Sequence, residues 1–351
     1  AILYAFGKRF SDPKQTQAIF ENLVVNGADV NKKNSWNRTL LMSAASQGNP
    51  AFVSVLLKKG ADVNSQDNNG MTALMHAAQS GAQGIVGDLL KKGVNIDAQD
   101  KNGNTALMFA AQSGAQGIVG DLLKKGAKID AQDKDEKTAL TYAVQRGSQG
   151  IAVDLLKKGA NIDSQDKNGN TALMYAVQRR FQGIVSDLLE HGANITTNNV
   201  NGGSAMWYAV DRVDSEESEQ IQAIIDILIN NGADINTNNS GNRTLLMIEA
   251  RRGNPDFVSD LLKKGAYLNS QDKDGMTALM YAVKSRSQRI VGDLLKHGAN
   301  ITVQDGKGKS AMLYAIEERD YYEDSEQTQT IIDILIDNGG DVNTKNRWNQ
   351  T

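Results

Sequence analysis

The stretch AAQSGAQGIVGDLLKKG fills residues 77–93 and returns unchanged at residues 110–126, a shift of 33 residues (110 − 77). Working outward from it, a short marker (Thr or Ser, then a small or apolar residue, then Leu or Met) opens at Thr39, Thr72, Thr105, Thr138, Thr171, Ser204, Thr244, Thr277 and Ser310. The spacing is 33 throughout, except for 40 residues from Ser204 to Thr244 and 41 from Ser310 to Thr351, where the marker begins again. A fixed period of this size is the signature of a solenoid, in which each unit buries its apolar face only by stacking on its neighbours.

One unit, NGNTALMFAAQSGAQGIVGDLLKKGAKIDAQD (residues 102–133), shows how the period folds. Thr105 is a helix N-cap, and Leu107, Ala110 and Ala111 give a short first helix one apolar stripe. Gly114 marks a tight turn, after which Ile118, Val119, Leu122 and Leu123 line a second helix. Lys124 and Lys125 complement the dipole at its C-terminus, and Gly126 suits a left-handed cap. AKIDAQD (127–133), like NIDAQDKNGN (95–104) at the start of the unit, then carries the Asp and Asn-Gly chemistry of an extended, hairpin-like turn. Helices this short are marginal alone and persist only by stacking.

At this level the unit resembles the ankyrin repeat, whose consensus runs roughly D-x-x-G-x-T-P-L-H-x-A-A-x-x-G, then an apolar helix, then L-L-x-x-G-A-D-V-N. DKNGNTALMFAAQSG (100–114) and LLKKGADVN (56–64) match it, and the resemblance covers essentially the whole chain. It implies an all-α-dominated ankyrin solenoid of stacked helix–turn–helix units. The expected organisation is one array over 1–351: a partial unit at 1–38, complete units from the nine markers, and the start of another at Thr351. Two departures recur. Alanine replaces the consensus proline after Thr, and Met75, Met108, Met174 and Met280 replace the consensus histidine, so that histidine's hydrogen bond is expected to be lost.

Composition narrows the function. The net charge of −3 argues against non-specific nucleic-acid binding, which needs a basic face. With no cysteine there is neither a disulfide framework nor a Cys-based metal site. No apolar run reaches membrane-spanning length. The compartment is not fixed, the cytoplasm being the default.

Local motifs that suggest chemistry dissolve into the period. Gly308-Lys309-Ser310 resembles the end of a phosphate-binding loop, but Val303 stands where that loop needs glycine. Asp272 to Gly275 lacks the later acidic ligands of a calcium loop. The recurrent Asp67, Asp100, Asp133, Asp166, Asp272 and Asp305 occupy turn positions, and Asn64 is a turn residue of the repeat. His76, His191 and His297 stand in no triad-like relation to a nucleophile. No catalytic residue, metal or cofactor is expected.

Function is sought where the chain departs from its own pattern. The resemblance places ligand-facing positions at the turn tips and at the ends of the first helices. Those helix ends are neutral at Gln79, Ser80, Gln112 and Ser113. They become basic at Arg146, Arg179, Arg180, Arg212, Arg251 and Arg252, helped by Arg243, and acidic at Glu317 and Glu318. Three units carry insertions expected as long loops between their helices: GKRFSDPKQTQ (7–17), DRVDSEESEQIQ (211–222) and EERDYYEDSEQTQ (317–329), the last holding Tyr321 and Tyr322. After each, the turn changes to NSWNRT (34–39), NSGNRT (239–244) or NRWNQT (346–351). Trp36 and Trp348 stand at those tips, with Arg38 beside the first. Such a tryptophan either packs back on its neighbouring turn or anchors a partner. Trp207 fills the Met/His slot and reads as core.

The expectation is a non-catalytic scaffold that binds a protein partner with an acidic segment, through the groove, the tips and the insertions. The alternatives are anion or nucleic-acid binding by the arginine band, or a targeting array for an enzyme in a longer chain. Insertion and altered turn read as composite recognition elements at 7–38, 211–243 and 317–350, and the exposed ends imply weak head-to-tail self-association.

Overall fold

The computed structural model describes residue 18 and residues 22–215, 219–321 and 325–343. It consists of helix pairs joined by turns, with an isolated bridge between Asn238 and Thr244 the only strand-type pairing among the described residues. Each unit is named below by its capping Thr or Ser. In the Thr105 unit the first helix is Ala106–Ser113 and the second Gln116–Lys124. Thr105 Oγ1 accepts the Met108 N–H at 3.4 Å. The Met108 sulfur in turn accepts the Thr105 N–H at 3.5 Å, and the same reciprocal pair forms at Thr39–Met42, Thr72–Met75 and Thr277–Met280. Where the consensus has histidine, the methionine of these units thus makes a contact of its own. A thioether, a weak acceptor, closes the capping box instead.

The first helix ends on Gly114 at φ 76°, a left-handed conformation in which a Cβ is disfavoured. The second ends in a Schellman arrangement: the Ala127 N–H donates to the Leu122 carbonyl at 3.1 Å and the Gly126 N–H to that of Leu123 at 3.1 Å. Ile118, Val119 and Leu122 are buried against the first helix and the adjoining units. Truncating any of these to alanine would cost about 2–5 kcal/mol.

Successive turns are stitched one period apart. The Lys101 N–H donates to the Asn69 carbonyl at 2.8 Å, that of Lys134 to Asn102 at 2.7 Å, and that of Gly306 to Asp274 at 2.7 Å. At the turn base the Asn95 N–H donates to Asn64 Oδ1 at 2.7 Å, the structural role read for that asparagine. On the second helices, Gln83 reaches Asp121 at 3.1 Å, Gln116 reaches Asp154 at 2.8 Å and Gln149 reaches Asp187 at 2.8 Å.

The long units correct an expectation. In the Ser204 and Ser310 units the described inserted residues extend both helices: Ala205–Ser215 with Glu219–Asn230, and Ala311–Tyr321 with Ser325–Asp337. The segments between these helices, 216–218 and 322–324, lie outside the described residues, as does the insertion at 7–17.

The chain divides into two compact units. The first holds Ala1–Asn194 and Asn198–Gly202, the second Ile195–Thr197 and Gly203–Thr351.

Candidate functional site

The turn aspartates hold a row of side chains from the first helices. Asp133 Oδ1 accepts the Asp135 and Lys137 N–H groups at 2.8 and 2.9 Å, which fixes the turn. Its Oδ2 accepts the Tyr142 hydroxyl at 2.5 Å. Asp166 holds Tyr175 in the same way, Asp272 holds Tyr281 at 2.6 Å, and Asp305 holds Tyr314 at 2.7 Å. In the Thr105 unit Phe109 offers no hydroxyl, and the Asn104 amide reaches Asp100 Oδ2 at 3.2 Å instead. Burial, then the bonded carboxylate, raises the Tyr142 and Tyr314 phenols far above the ordinary range, and pushes Tyr281 up to about 12. These tyrosines therefore stay protonated, each donating to its aspartate. The turn aspartates are structural groups with full sets of donors.

Sequence reasoning missed this aromatic stripe. The signal was present: Asp and Tyr stand nine residues apart in four units (133 and 142, 166 and 175, 272 and 281, 305 and 314), and His76 stands nine after Asp67.

His76 is 6 % exposed. Its Nε2 lies 3.2 Å from Asp67 Oδ2, and Arg38 Nη2 lies 3.4 Å from Nε2 and 3.5 Å from Nδ1. This geometry places the ring proton on Nε2, donated to Asp67. Burial and the Arg38 charge lower the His76 pKa against the opposing pull of Asp67, so the ring is neutral.

Arg38, read as a partner-binding residue, thus lies against the next turn, its Nε 4.0 Å from Asp67. Arg243 behaves alike, donating to Asp272 at 3.3 Å with its guanidinium 5.9 Å from the Tyr281 ring centre. The two altered turns among the described residues have a structural use: each substitutes asparagine for glycine at positive φ, Asn37 at 56° and Asn242 at 64°, and sends an arginine to the next aspartate.

Trp36 is 62 % exposed. Its backbone is pinned: its N–H donates to Asn34 Oδ1 at 3.0 Å and its carbonyl accepts the Asn68 N–H at 2.9 Å. Arg146 and Arg179 in the first unit, and Arg212 and Arg251 in the second, are exposed. Arg180 is half-buried at φ 61°. Arg252 is engaged within the chain, 3.4 Å from Glu249 and donating to the Val213 carbonyl. Trp207 is half-buried, less enclosed than its core assignment, and meets Tyr208 edge-on at 5.0 Å. Tyr321 ends its helix, while its side chain, Tyr322 and Trp348 lie outside the described residues. Among the described residues no group of His, Asp and Glu could hold a metal ion, and no helix is long and apolar enough to cross a membrane.

Capping Thr, left-handed glycine, paired helices and stitched turns define a repeat scaffold. The family model for ankyrin repeats, three copies long, matches at residues 13–100, 82–166, 118–199, 150–239, 216–305 and 246–346. The chain belongs to the ankyrin-repeat family. Ankyrin repeats are in general protein–protein interaction modules and are typically non-catalytic. No curated protein matches the chain.

Proposed function

We propose that the chain is a protein-binding scaffold in which the turn tips and first-helix ends of each compact unit form a preformed face. The observation that carries this reading is Trp36, a large apolar side chain exposed on a turn whose backbone is held at both faces. Tryptophan and arginine are the types most enriched at energetic centres of interfaces, and a rigid anchor loses little entropy on binding. Exposed Arg146, Arg179, Arg212 and Arg251 supply the basic ground that favours an acidic partner segment. The composite of insertion and altered turn has support at 211–243, where Asp211 accepts the Ser240 hydroxyl at 2.8 Å.

The test is capture of partners on the immobilised chain, followed by affinity measurement with Trp36→Ala and with Arg146→Glu combined with Arg179→Glu. Trp36→Ala should weaken the cognate partner by about tenfold or more, near 1.4 kcal/mol. Undiminished affinity in both variants, with folding intact, would overturn the assignment. Preference for oligonucleotide with a steep salt dependence would move it to nucleic-acid binding.

A further inference from the structure

The second unit holds a cleft of about 510 Å³ lined by Lys273, Lys284, Lys307, Asp305, Tyr281 and Tyr314 among others. Its lining charges sum to a positive sign, three lysines against Asp274 and Asp305. The Asp305 carboxylate is taken up by the Tyr314 hydroxyl at 2.7 Å and by the Lys307 and Lys309 N–H groups at 2.8 Å each. Lys309 is neutralised by Glu317 at 2.6 Å. Among the described residues Lys273, Lys284 and Lys307 have no ion-pair partner, while Asp274, the other lining carboxylate, is exposed to solvent.

Two features build the cleft beyond a chance gathering of surface lysines. The turns at 100–103 and 166–169 read Asp-Lys-Asn-Gly and that at 272–275 Asp-Lys-Asp-Gly, whereas this one reads Asp305-Gly306-Lys307-Gly308, which moves its lysine one position along the turn and leaves glycine in the vacated place. There a Cβ would meet the Asp274 carbonyl oxygen at 3.0 Å. Lys284 is held without being neutralised: its ammonium lies 5.0 Å from the centre of the Tyr314 ring, and that ring is fixed by its bond to Asp305. The turn beside it is tied by Gln271, which donates to the Gly275 and Gln304 carbonyls at 2.8 and 3.0 Å.

We propose that this cleft receives the carboxylate of a glutamate in an extended acidic partner segment. The carboxylate meets the unpaired ammonium groups while its methylenes lie on the Tyr281 and Tyr314 rings. This rests on the reading of the chain as a protein-binding scaffold. A peptide is favoured over nucleic acid because three lysines gathered in one cleft suit a single carboxylate, whereas a phosphate backbone needs a continuous basic track.

The experiment uses the full chain and a fluorescein-labelled peptide of alternating glutamate and serine, read by fluorescence anisotropy at about 50 and 200 mM salt. The controls are the same peptide with glutamine for glutamate and a single-stranded oligonucleotide. Lys284→Glu and Lys307→Glu should each weaken the acidic peptide about tenfold or more, and Lys91→Glu, remote on an exposed second helix, should leave it unchanged. Lys307 lies on an exposed turn, so its variant stands should Lys284→Glu disturb the fold. Equal binding of the glutamine peptide, indifference to both cleft variants, or tighter binding of the oligonucleotide overturns the proposal. So does Lys284-dependent self-association, which would make a second copy the occupant. None of these outcomes touches Trp36-dependent capture, so the broader reading stands or falls on its own test.

Discussion

The Thr105 and Ser204 units start alike and separate nine residues after the cap. At that slot the Thr105 unit has Gly114 at φ 76°, and the chain turns at once into its second helix. The Ser204 unit has Val213, fully buried, and the helix runs on to Ser215. Valine is β-branched and strongly disfavoured at positive φ, whereas arginine is tolerated there, as Arg180 at 61° and Arg286 at 53° show. Arg319 occupies the same slot of the Ser310 unit, yet its helix continues to Tyr321. The slot residue therefore sets the stop only together with the length of chain that follows.

The extension changes the next stacking step. The first helices of the Ser204 and Thr244 units touch sparsely, whereas those of the Thr244 and Thr277 units pack closely. Where regular units place a small residue such as Ala110, the Thr244 unit places Glu249, 1 % exposed. Burial raises its pKa against the pull of Arg252, which bonds it at 3.4 Å, and Asn254 adds a bond at 3.3 Å. Arg252 also reaches Val213, so a buried ion pair does here what close alanine packing does elsewhere.

The largest expected effect breaks that substitution. Arg252→Ala leaves a buried carboxylate without its cation and should cost about 3 kcal/mol. Adding Glu249→Ala restores the small residue of a regular unit and should recover much of the loss. Because the Glu249 pKa is raised, the folded state takes up its proton before the unfolded state does. The damage from Arg252→Ala should therefore shrink as pH falls towards and below the ordinary glutamate value. Urea midpoints, with amide exchange of residues 245–252 as the local readout, measure both; additive single losses would show that the pair is not coupled.

That junction also marks where the sequence stopped being legible. The period, the caps at Thr105 and its counterparts, the buried face of Ile118, Val119 and Leu122 and the turn role of the aspartates all follow from local rules that repeat. The helical insertions did not, because DRVDSEESEQIQ looks like a loop by composition and lacks the glycine whose absence was the decisive sign. Nor did the fate of Arg38 and Arg243. Their partners Asp67 and Asp272 lie one period away, and only the stacked register shows that the groups meet. The sulfur that closes the capping box was hidden by its chemistry, since methionine is rarely read as an acceptor.

The comparison sharpens with a reciprocal exchange at the slot itself. Gly114→Val forces a branched side chain into the left-handed region and should cost about 1–2 kcal/mol. Arg180→Gly removes backbone strain and should stabilise by about 0.5–1 kcal/mol, the greater chain entropy of glycine offsetting part of the gain. Thermal and urea midpoints decide it; a neutral Gly114→Val would mean that the slot conformation is not what terminates the first helix.

A weaker contrast sets His76 against the tyrosines of the same stripe. The His76 pKa is lowered on folding, so the unfolded state takes up the proton first as pH falls. Its contribution is present above the unfolded value of about 6.5 and declines below it, levelling once the folded ring protonates. His76→Tyr should bond Asp67 as Tyr281 bonds Asp272 beside Arg243, and should remove this acid sensitivity. The stability gap between variant and parent should widen from pH 8 to pH 5 in urea titrations, and a gap that stays constant would show that His76 does not titrate against folding.

The smallest expected effect compares two copies of one sequence. Gly84 and Gly117 are each the second residue of a helix reading QGIVGDLLK, at Gln83–Lys91 and Gln116–Lys124. One unit before Gly117 stands Gln83, and a Cβ at Gly117 would come within 2.5 Å of its amide oxygen. One unit before Gly84 stands Pro50, and a Cβ at Gly84 meets nothing within 4 Å. Gly84→Ala should therefore stabilise by about 0.5 kcal/mol through the entropy of the unfolded chain. At Gly117 the same gain is set against displacement of the flexible Gln83 and loss of its bond to Asp121, so the net change should be near zero. Combining Gln83→Ala with Gly117→Ala should bring the alanine gain back, since nothing is left to displace. Equal gains at Gly84 and Gly117 in the parent chain would mean that the glutamine stitching of the second helices contributes no measurable stability, leaving the turn ladder and the apolar faces to hold the stack.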